Sequence, residues 1–372
     1  MKVMSIVGTR PELIKMSQVL KKLDVFFDHY FVHTGQNYDY ELNEIFYKDL
    51  DLRKPDLYLE AAADTAAGTI ASLIEKTDSI FEKEKPDALV LYGDTNSCLC
   101  VIAAKRRRIP IFHLEAGNRC FDTRVPEEIN RKVVDHLSDI NFVHSEHARR
   151  YLLSEGLRPE TVIKSGSPMN EVIAALGSKI EKSTALKGLS LKAKDYFIVS
   201  THREENVDNP ELFRSLLESL NGICEKYPNK KVVVSTHPRT RKKLDAMDFT
   251  AHKNIDFLKP LGLIDYLHLQ KNAFCVLSDS GTLTEESSLL GFPGVMIRQA
   301  HERPEGMDAG TAVMSGLKLE SILRSIVLVA GQGQSEQRIG IEDYRNDHFS
   351  AQVCKVIQSY VPYVNRVTWF QR

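Results

Sequence analysis

The 372-residue sequence predicts an α/β protein of two Rossmann-like, doubly wound domains, and three observations carry that prediction. The length suits about two domains at roughly 150 residues each. Short β-branched runs alternate with longer stretches whose apolar residues recur at helical spacing. The same rhythm then restarts after a polar segment rich in Lys and Ser, residues 177–194. Runs with almost no polar alternation belong to parallel sheets covered on both faces, and two βα series in a row give two such sheets.

In chain order the first series places strands over 2–7, 30–33, 88–92, 110–113 and 141–144, with helices over 12–23 and 65–83 between them. The second places strands over 196–200, 231–235, 255–258, 274–278 and 294–297. A final helix is expected over 352–360. The domains are set at 1–170 and 171–372, the last helix being free to pack back on the first domain. Ligands of open parallel sheets bind beyond the carboxyl ends of the strands. Two doubly wound domains facing a cleft would bring two such rims together.

A formal net charge of −1 gives no basic field for nucleic acid or an anionic membrane, so neither is expected as a partner. No stretch approaches the ~20 apolar residues of a membrane span. The apolar run at residues 2–7 stops at Gly8, short of a secretory core. Six cysteines without zinc-knuckle spacing read as free thiols in a reducing cytosol, which places the chain in the cytoplasm.

Polar clusters follow the predicted strands repeatedly. After the first comes Gly8-Thr9-Arg10-Pro11-Glu12, with Lys15 one turn on. Gly8 permits a tight turn and Pro11 suits a first helical position. Arg10 and Lys15 beside free helix N–H groups form a candidate anion site, the other reading being a plain turn with solvated charges. Asp94 follows the third strand, Glu115 the fourth, and Glu127 and Glu128 the loop beyond. Carboxylates crowded in a partly dry site repel one another, so that one can act as base and another as acid. Magnesium binding is the rival role, weakened by Arg119, Arg124 and Arg131 nearby. A structural role also stays open, with Asp94 as a helix cap and Glu127 and Glu128 solvated.

In the second series His202 and His237 stand at equivalent strand ends, each next to an arginine, as candidate ligand contacts. Ser278-Asp279-Ser280-Gly281-Thr282 opens a helix with small and hydroxyl residues, a candidate diphosphate cradle at the positive end of a helix dipole. Glu286, one turn in, could accept two hydrogen bonds from a ribose diol or be a solvated first-turn acid. Arg303 adds a cation after the next strand.

Seven blocks, Gly8-Thr9-Arg10-Pro11-Glu12, Gly93-Asp94-Thr95, Glu115-Ala116-Gly117-x-Arg119, Pro126-Glu127-Glu128-x-Asn130-Arg131, His202-Arg203-x-Glu205, Asp279-Ser280-Gly281 and Glu302-Arg303-Pro304-Glu305, occur in this order. Together they resemble the non-hydrolysing UDP-N-acetylglucosamine 2-epimerase family. That family has the two-domain glycosyltransferase-B-type fold. Glu204 departs from the pattern, standing where a second basic residue is usual. Residues 113–132, with Asn118, Cys120-Phe121 and Arg124-Val125 within them, are similar to the branch of UDP-N-acetyl-L-fucosamine synthases, which act on UDP-2-acetamido-2,6-dideoxy-L-talose for capsule or O-antigen synthesis. Gln36-Asn37-Tyr38 stands where the N-acetylglucosamine branch has an allosteric Gln-His-Arg segment, so the resemblance does not extend that regulation to this chain.

The resemblance implies C2 epimerisation by elimination and re-addition of UDP, with no nicotinamide or other cofactor, no metal and a homodimeric assembly. Asp94, Glu115 and Glu127 are assigned to proton transfer in the first domain. Lys15 and His202 would stabilise or protonate the leaving diphosphate. Arg10, His237, Ser280, Gly281, Thr282 and Arg303 would hold phosphates, Glu286 the ribose and Tyr266 the uracil. Arg119 joins the substrate-binding set. A UDP-sugar glycosyltransferase on the same fold, a hydrolysing epimerase and a nucleotide-sugar sensor remain as other readings.

Overall fold

In a computed structural model of the chain, residues 1–35, 46–201, 204–236, 238–299, 302–331 and 340–371 are described, those at 204, 205, 238 and 239 through the backbone alone. They form two compact units, Met1–Ala175 with Asp343–Arg372, and Leu176–Glu342. The sequence placed the division at 170 and left the last helix free to pack back on the first domain. The chain crosses after Ala175, and its last segment folds with the first unit.

The first unit runs β1 (Lys2–Val7), α1 (Arg10–Phe26), β2 (Asp28–His33), β3 (Leu57–Tyr58), α2 (Ala66–Glu84), β4 (Ala88–Tyr92), α3 (Val101–Arg106), β5 (Ile111–Leu114), α4 (Pro126–Leu137), β6 (Ile140–Val143), α5 (Glu146–Ser154) and β7 (Val162–Lys164). Helix α6 (Pro168–Glu181) carries the chain into the second unit. There follow α7 (Ala185–Gly188), β8 (Tyr196–Ser200), α8 (Glu204–Val207), α9 (Pro210–Lys226), β9 (Lys231–Ser235), α10 (Pro238–Asp245), β10 (Ile255–Leu258), α11 (Leu263–Asn272), β11 (Cys275–Ser278), α12 (Thr282–Leu290), β12 (Gly294–Met296), α13 (Pro304–Ala309), β13 (Ala312–Met314) and α14 (Leu319–Gly331). Helix α15 (Phe349–Val367) closes the chain in the first unit, where it packs on α1.

Every strand pairing is parallel. The sheet orders are β3-β2-β1-β4-β5-β6-β7 and β10-β9-β8-β11-β12-β13. In each sheet the chain winds outward one way, then returns to the middle and winds the other way. The reversal lies between β1 and β4 in the first unit and between β8 and β11 in the second, the position where doubly wound sheets bind ligands.

The strands are mostly apolar because both faces are covered, and alternate residues serve alternate layers. In the second sheet Phe197, Val199, Val232, Val234 and Leu277 pack with α9 and α14. Tyr196, Ile198, Val233, Val276 and Met296 pack on the other side with α11 and α12. In the first, Met4, Ile6, Leu89, Leu91 and Ile111 pack with α2 and with Val134 of α4. Thr65 caps α2 by accepting from the Gly68 N–H at 3.0 Å, and Asn209 does the same for α9 from Glu211 and Leu212. In the polar segment 177–194 the first residues finish α6 and others form α7. Among the described residues no helix is long and apolar enough to cross a membrane.

Candidate active site

The loop from β1 into α1 lies at the first reversal point. Thr9 is the N-cap in an extended conformation, yet its side chain makes no cap bond. Glu12 takes that part by reaching back to the Gly8 N–H at 2.6 Å. Its carboxylate also accepts from Thr95 Oγ1 at 2.5 Å and Ser97 Oγ at 3.1 Å, which ties the β1–α1 turn to the loop after β4. Burial pushes the Glu12 carboxyl up, and the hydrogen bonds from Thr95, Gly8, Ser97 and Thr9 only partly oppose it.

Lys15, on the second turn of α1, is buried and places Nζ 2.9 Å from Glu115 Oε2 and over the Tyr92 ring. The other oxygen of Glu115 accepts from Asn118 Nδ2 at 3.1 Å. Glu115 itself holds a left-handed backbone (φ 67°), uncommon for a residue with a side chain. Arg10 lies with its guanidinium 5.4 Å over the Phe46 ring.

Asp94 leaves the neighbouring strand β4, whose Tyr92 pairs with Leu114 of β5. Arg131 holds it through Nη2 at 2.7 Å and Nε at 3.0 Å, both to Oδ2. Asn130, next to that arginine on α4, donates to the Asp94 carbonyl at 3.0 Å. The structure thus gathers Lys15, Glu115 and Asp94 at adjacent strand ends, with cations or amides on both carboxylates.

Two of the expected site residues of this unit stand apart from that cluster. Glu127 is exposed at the start of α4 and has no polar partner among the described residues. Its neighbour Glu128 is fully buried and accepts from the N–H groups of Cys120 and Phe121 and from Arg131 Nη1 at 3.1 Å. Arg119, expected on substrate, is turned inward. Its guanidinium meets both oxygens of Glu155 at 2.6–2.8 Å and Asp135 Oδ2 at 2.7 Å. The side chain is wholly buried, so it builds the floor rather than touching a ligand.

In the second unit Ser200 of β8 pairs with Ser278 of β11 at the reversal point. Ser278 Oγ accepts from the Ser280 N–H at 3.0 Å, and Ser280 Oγ lies 3.0 Å from Thr282 Oγ1. Gly281 is the N-cap of α12 and has no side chain to occupy the first-turn N–H groups. Ser280, Gly281 and Thr282 are half-buried at this turn, and the Thr282 N–H donates to Ser280 Oγ at 3.3 Å. Glu286, one turn in, is held by Gln270 Nε2 at 2.6 Å. Tyr266 packs on the α11–α12 layer. Burial and then the Glu286 charge push its phenol well up, and a Ser200 hydrogen bond opposes them. Arg303 is buried, with Nη2 3.4 Å from Glu285 Oε2, a carboxylate the sequence did not single out. His202 and His237 lie outside the described residues, as do Gln36-Asn37-Tyr38.

Sequence reasoning also passed over Glu12, His113, Asp135 and Gln270. A signal existed for Asp135. Glu128, Arg131 and Asp135 recur at i, i+3 and i+7 on α4, a charged stripe on the face that Val134 shows to be inward.

Residues 21–358 match the family described as UDP-N-acetylglucosamine 2-epimerase. A solved structure of UDP-N-acetylglucosamine 2-epimerase from Rickettsia bellii is 50% identical over the whole of both chains, with a TM-score of 0.93. The UDP-GlcNAc 2-epimerase of Methanocaldococcus jannaschii, solved in complex with UDP-GlcNAc and UDP, is 30% identical over 96% of this chain and all of that one, with a TM-score of 0.89. UDP-2,3-diacetamido-2,3-dideoxy-D-glucuronate 2-epimerase of Pseudomonas aeruginosa is 33% identical over 87% of this chain and 91% of its own length. Two parallel α/β sheets and these whole-chain likenesses give the glycosyltransferase-B-type fold.

Proposed function

This chain belongs to the UDP-N-acetylglucosamine 2-epimerase family and is a nucleotide-sugar 2-epimerase, and on that premise we propose its chemistry and its sugar. The reaction is inversion at C2 of a UDP-2-acetamido sugar without net hydrolysis. A carboxylate takes the C2 proton, the C1–O bond breaks and UDP departs with that electron pair, leaving a bound 2-acetamidoglycal. UDP then re-adds at C1 while a proton reaches the opposite face of C2.

One observation carries this assignment. Asp94 and Glu115 leave adjacent strand ends at the first reversal point, each held by donors of its own. A carboxylate whose oxygens face Lys15 and Asn118 suits proton abstraction from carbon, and an Arg131-bound Asp94 supplies a second such group. Glu127, exposed at the start of α4, is the third group for proton transfer and would act through contact with substrate. Lys15 and His202 serve the departing diphosphate, Arg10, His237 and the Ser280-Gly281-Thr282 turn its phosphates, Glu286 the ribose and Tyr266 the uracil. The buried Arg303 supports that turn through Glu285.

The sugar we assign is UDP-2-acetamido-2,6-dideoxy-L-talose, giving UDP-N-acetyl-L-fucosamine. Its support is the resemblance of residues 113–132 to the branch that acts on it, in a segment whose Asn118 bonds Glu115 and whose Cys120 Sγ bonds Glu128 at 3.3 Å. UDP-N-acetylglucosamine is the second reading, favoured by the names of the relatives.

Turnover in deuterium oxide tests the reaction: product carrying no deuterium at C2 rules out the elimination route. Separate incubation with each sugar tests the substrate. Turnover of UDP-N-acetylglucosamine alone would remove the L-talo assignment.

A further inference from the structure

Behind the two carboxylates lies a buried network that no step above uses. His113, on β5, is fully buried. Its Nε2 is 2.7 Å from the Gly93 carbonyl oxygen, and its Nδ1 is 2.9 Å from Asp135 Oδ1. A carbonyl has no proton to give, so Nε2 donates. Asp135, on α4, also receives Arg119 Nη1 at 2.7 Å and the Gly117 N–H at 3.2 Å. With Nε2 committed to the Gly93 carbonyl, Nδ1 stands at ion-pair distance from a carboxylate oxygen without hydrogen-bond alignment, and a proton on it as well turns a repulsive contact into an attractive one. The charged groups around it are Asp135 and Asp94, with Arg119 beyond Asp135 shared with Glu155. Burial opposes the cation, but the Asp135 and Gly93 contacts and the Asp94 charge outweigh it and raise the ring above its ordinary value.

The two backbone groups held here are placed tellingly. Gly93 immediately precedes Asp94, and Gly117 is two residues beyond Glu115. Both glycines have left-handed backbones, φ 77° and 79°, so each loop turns sharply where the network grips it.

We propose that Asp135 and His113 are positioning residues for C2 proton transfer, a buried ion pair that grips the Gly93 carbonyl and the Gly117 N–H and thereby fixes Asp94 and Glu115 relative to each other. The role rests on the epimerase reading, whereas the charge on the ring does not.

Ring-nitrogen NMR of the intact, 15N-histidine-labelled protein at about pH 7.5, where an ordinary histidine of pKa about 6.5 is mostly neutral, reads that charge. The His113 signal, assigned by its loss in His113→Gln, is expected to show both nitrogens protonated. A neutral ring overturns the proposal. In the same variant kcat for C2 deuterium exchange, per folded molecule, is expected to fall about 10²-fold with KM changed less than about twofold, the signature of misplaced reacting groups. Unchanged kcat also overturns it. If His113→Gln does not fold, assignment passes to through-bond correlation in the wild-type protein, and the ring state decides. A wild-type protein that binds UDP-sugar without C2 exchange defeats the epimerase reading and takes the positioning role with it, even with a charged ring.

Discussion

Asn118 and Glu12 show how much a single side chain decides at this site. Asn118 donates to the Glu115 oxygen that Lys15 does not reach. Replacing it by leucine keeps the bulk and removes one bond to a charged group, worth about 1.5–3 kcal/mol. Asn118→Leu is therefore expected to lower kcat for C2 exchange at least about tenfold, by the same principle, with little change in KM. Undiminished kcat would mean that Lys15 alone orients Glu115. Glu12 behaves differently, since among the described residues it meets no cation, while Gly8, Thr95, Ser97 and Thr9 donate to it. Its folded pKa lies above the ordinary 4.5. Protonation thus favours the fold: that contribution is fully present below pH 4.5 and is lost as pH rises through the folded value. Chemical unfolding at a series of pH values should show wild type losing stability relative to Glu12→Gln across this window. A gap independent of pH would refute it. Glu12→Ala, which leaves the Gly8 N–H without its acceptor, is expected to cost about 1–3 kcal/mol.

At the scale of elements, the loop after β5 depends on Gly117 in two separable ways. It holds φ 79°, and a Cβ added there would lie 2.6 Å from the Ala148 carbonyl oxygen of α5. Gly93 has a similar backbone, φ 77°, with open space around the missing Cβ. Gly93→Ala should therefore cost only the left-handed penalty of about 1–2 kcal/mol. Gly117→Ala should cost clearly more, because α5 must also move, and thermal melts of the two variants measure the difference. Equal losses would show that α5 yields freely. The same elements show what the sequence could and could not say. Ten strands were legible because parallel, doubly covered strands are mostly apolar, without regular polar alternation. β3, β7 and β13, with two or three residues each, leave too short a run to stand out. Helix α6 was missed although Met169, Val172, Leu176 and Ile180 recur at helical spacing and are buried, because its last turn, from Gly177 on, runs into the polar stretch rich in Lys and Ser. At the site, strand ends located Asp94, Glu115 and Lys15. Composition could not tell Glu127 from Glu128, since only the turn of α4 decides which carboxylate faces inward. Nor could it tell that Arg119 and Arg303 meet carboxylates instead of solvent, because Glu155 and Glu285 are brought to them by the fold.

At the scale of the whole molecule the chain is not divided in the order of its sequence. The first unit contains the last thirty or so residues, and several contacts fasten them there. Asp343 pairs with Lys164 at 2.5 Å and accepts from the Glu146 N–H at 2.7 Å. Tyr344 is fully buried, and its carbonyl accepts from the Ser167 N–H. Glu171 accepts from both the N–H and the hydroxyl of Ser350 at the start of α15. Phe349, Val353, Ile357 and Val364 then bury one face of α15, which packs on α1, the helix that carries Lys15. Burying such side chains contributes about 1.5–3 kcal/mol each, so the loss of four is comparable with the total stability of a domain. A chain ending at Glu342 is therefore expected to lose hydrogen-exchange protection throughout β1, β4 and β5 while β8, β9 and β11 keep theirs. The same truncation should abolish C2 exchange, since Lys15, Asp94 and Glu115 all stand on the weakened sheet, while UDP binding by the second unit persists to the extent that Ser280, Gly281, Thr282 and Glu286 supply it. Protection lost equally in both sheets would mean that the two units unfold as one, and full protection in β1 would mean that α15 only covers a sheet able to stand without it.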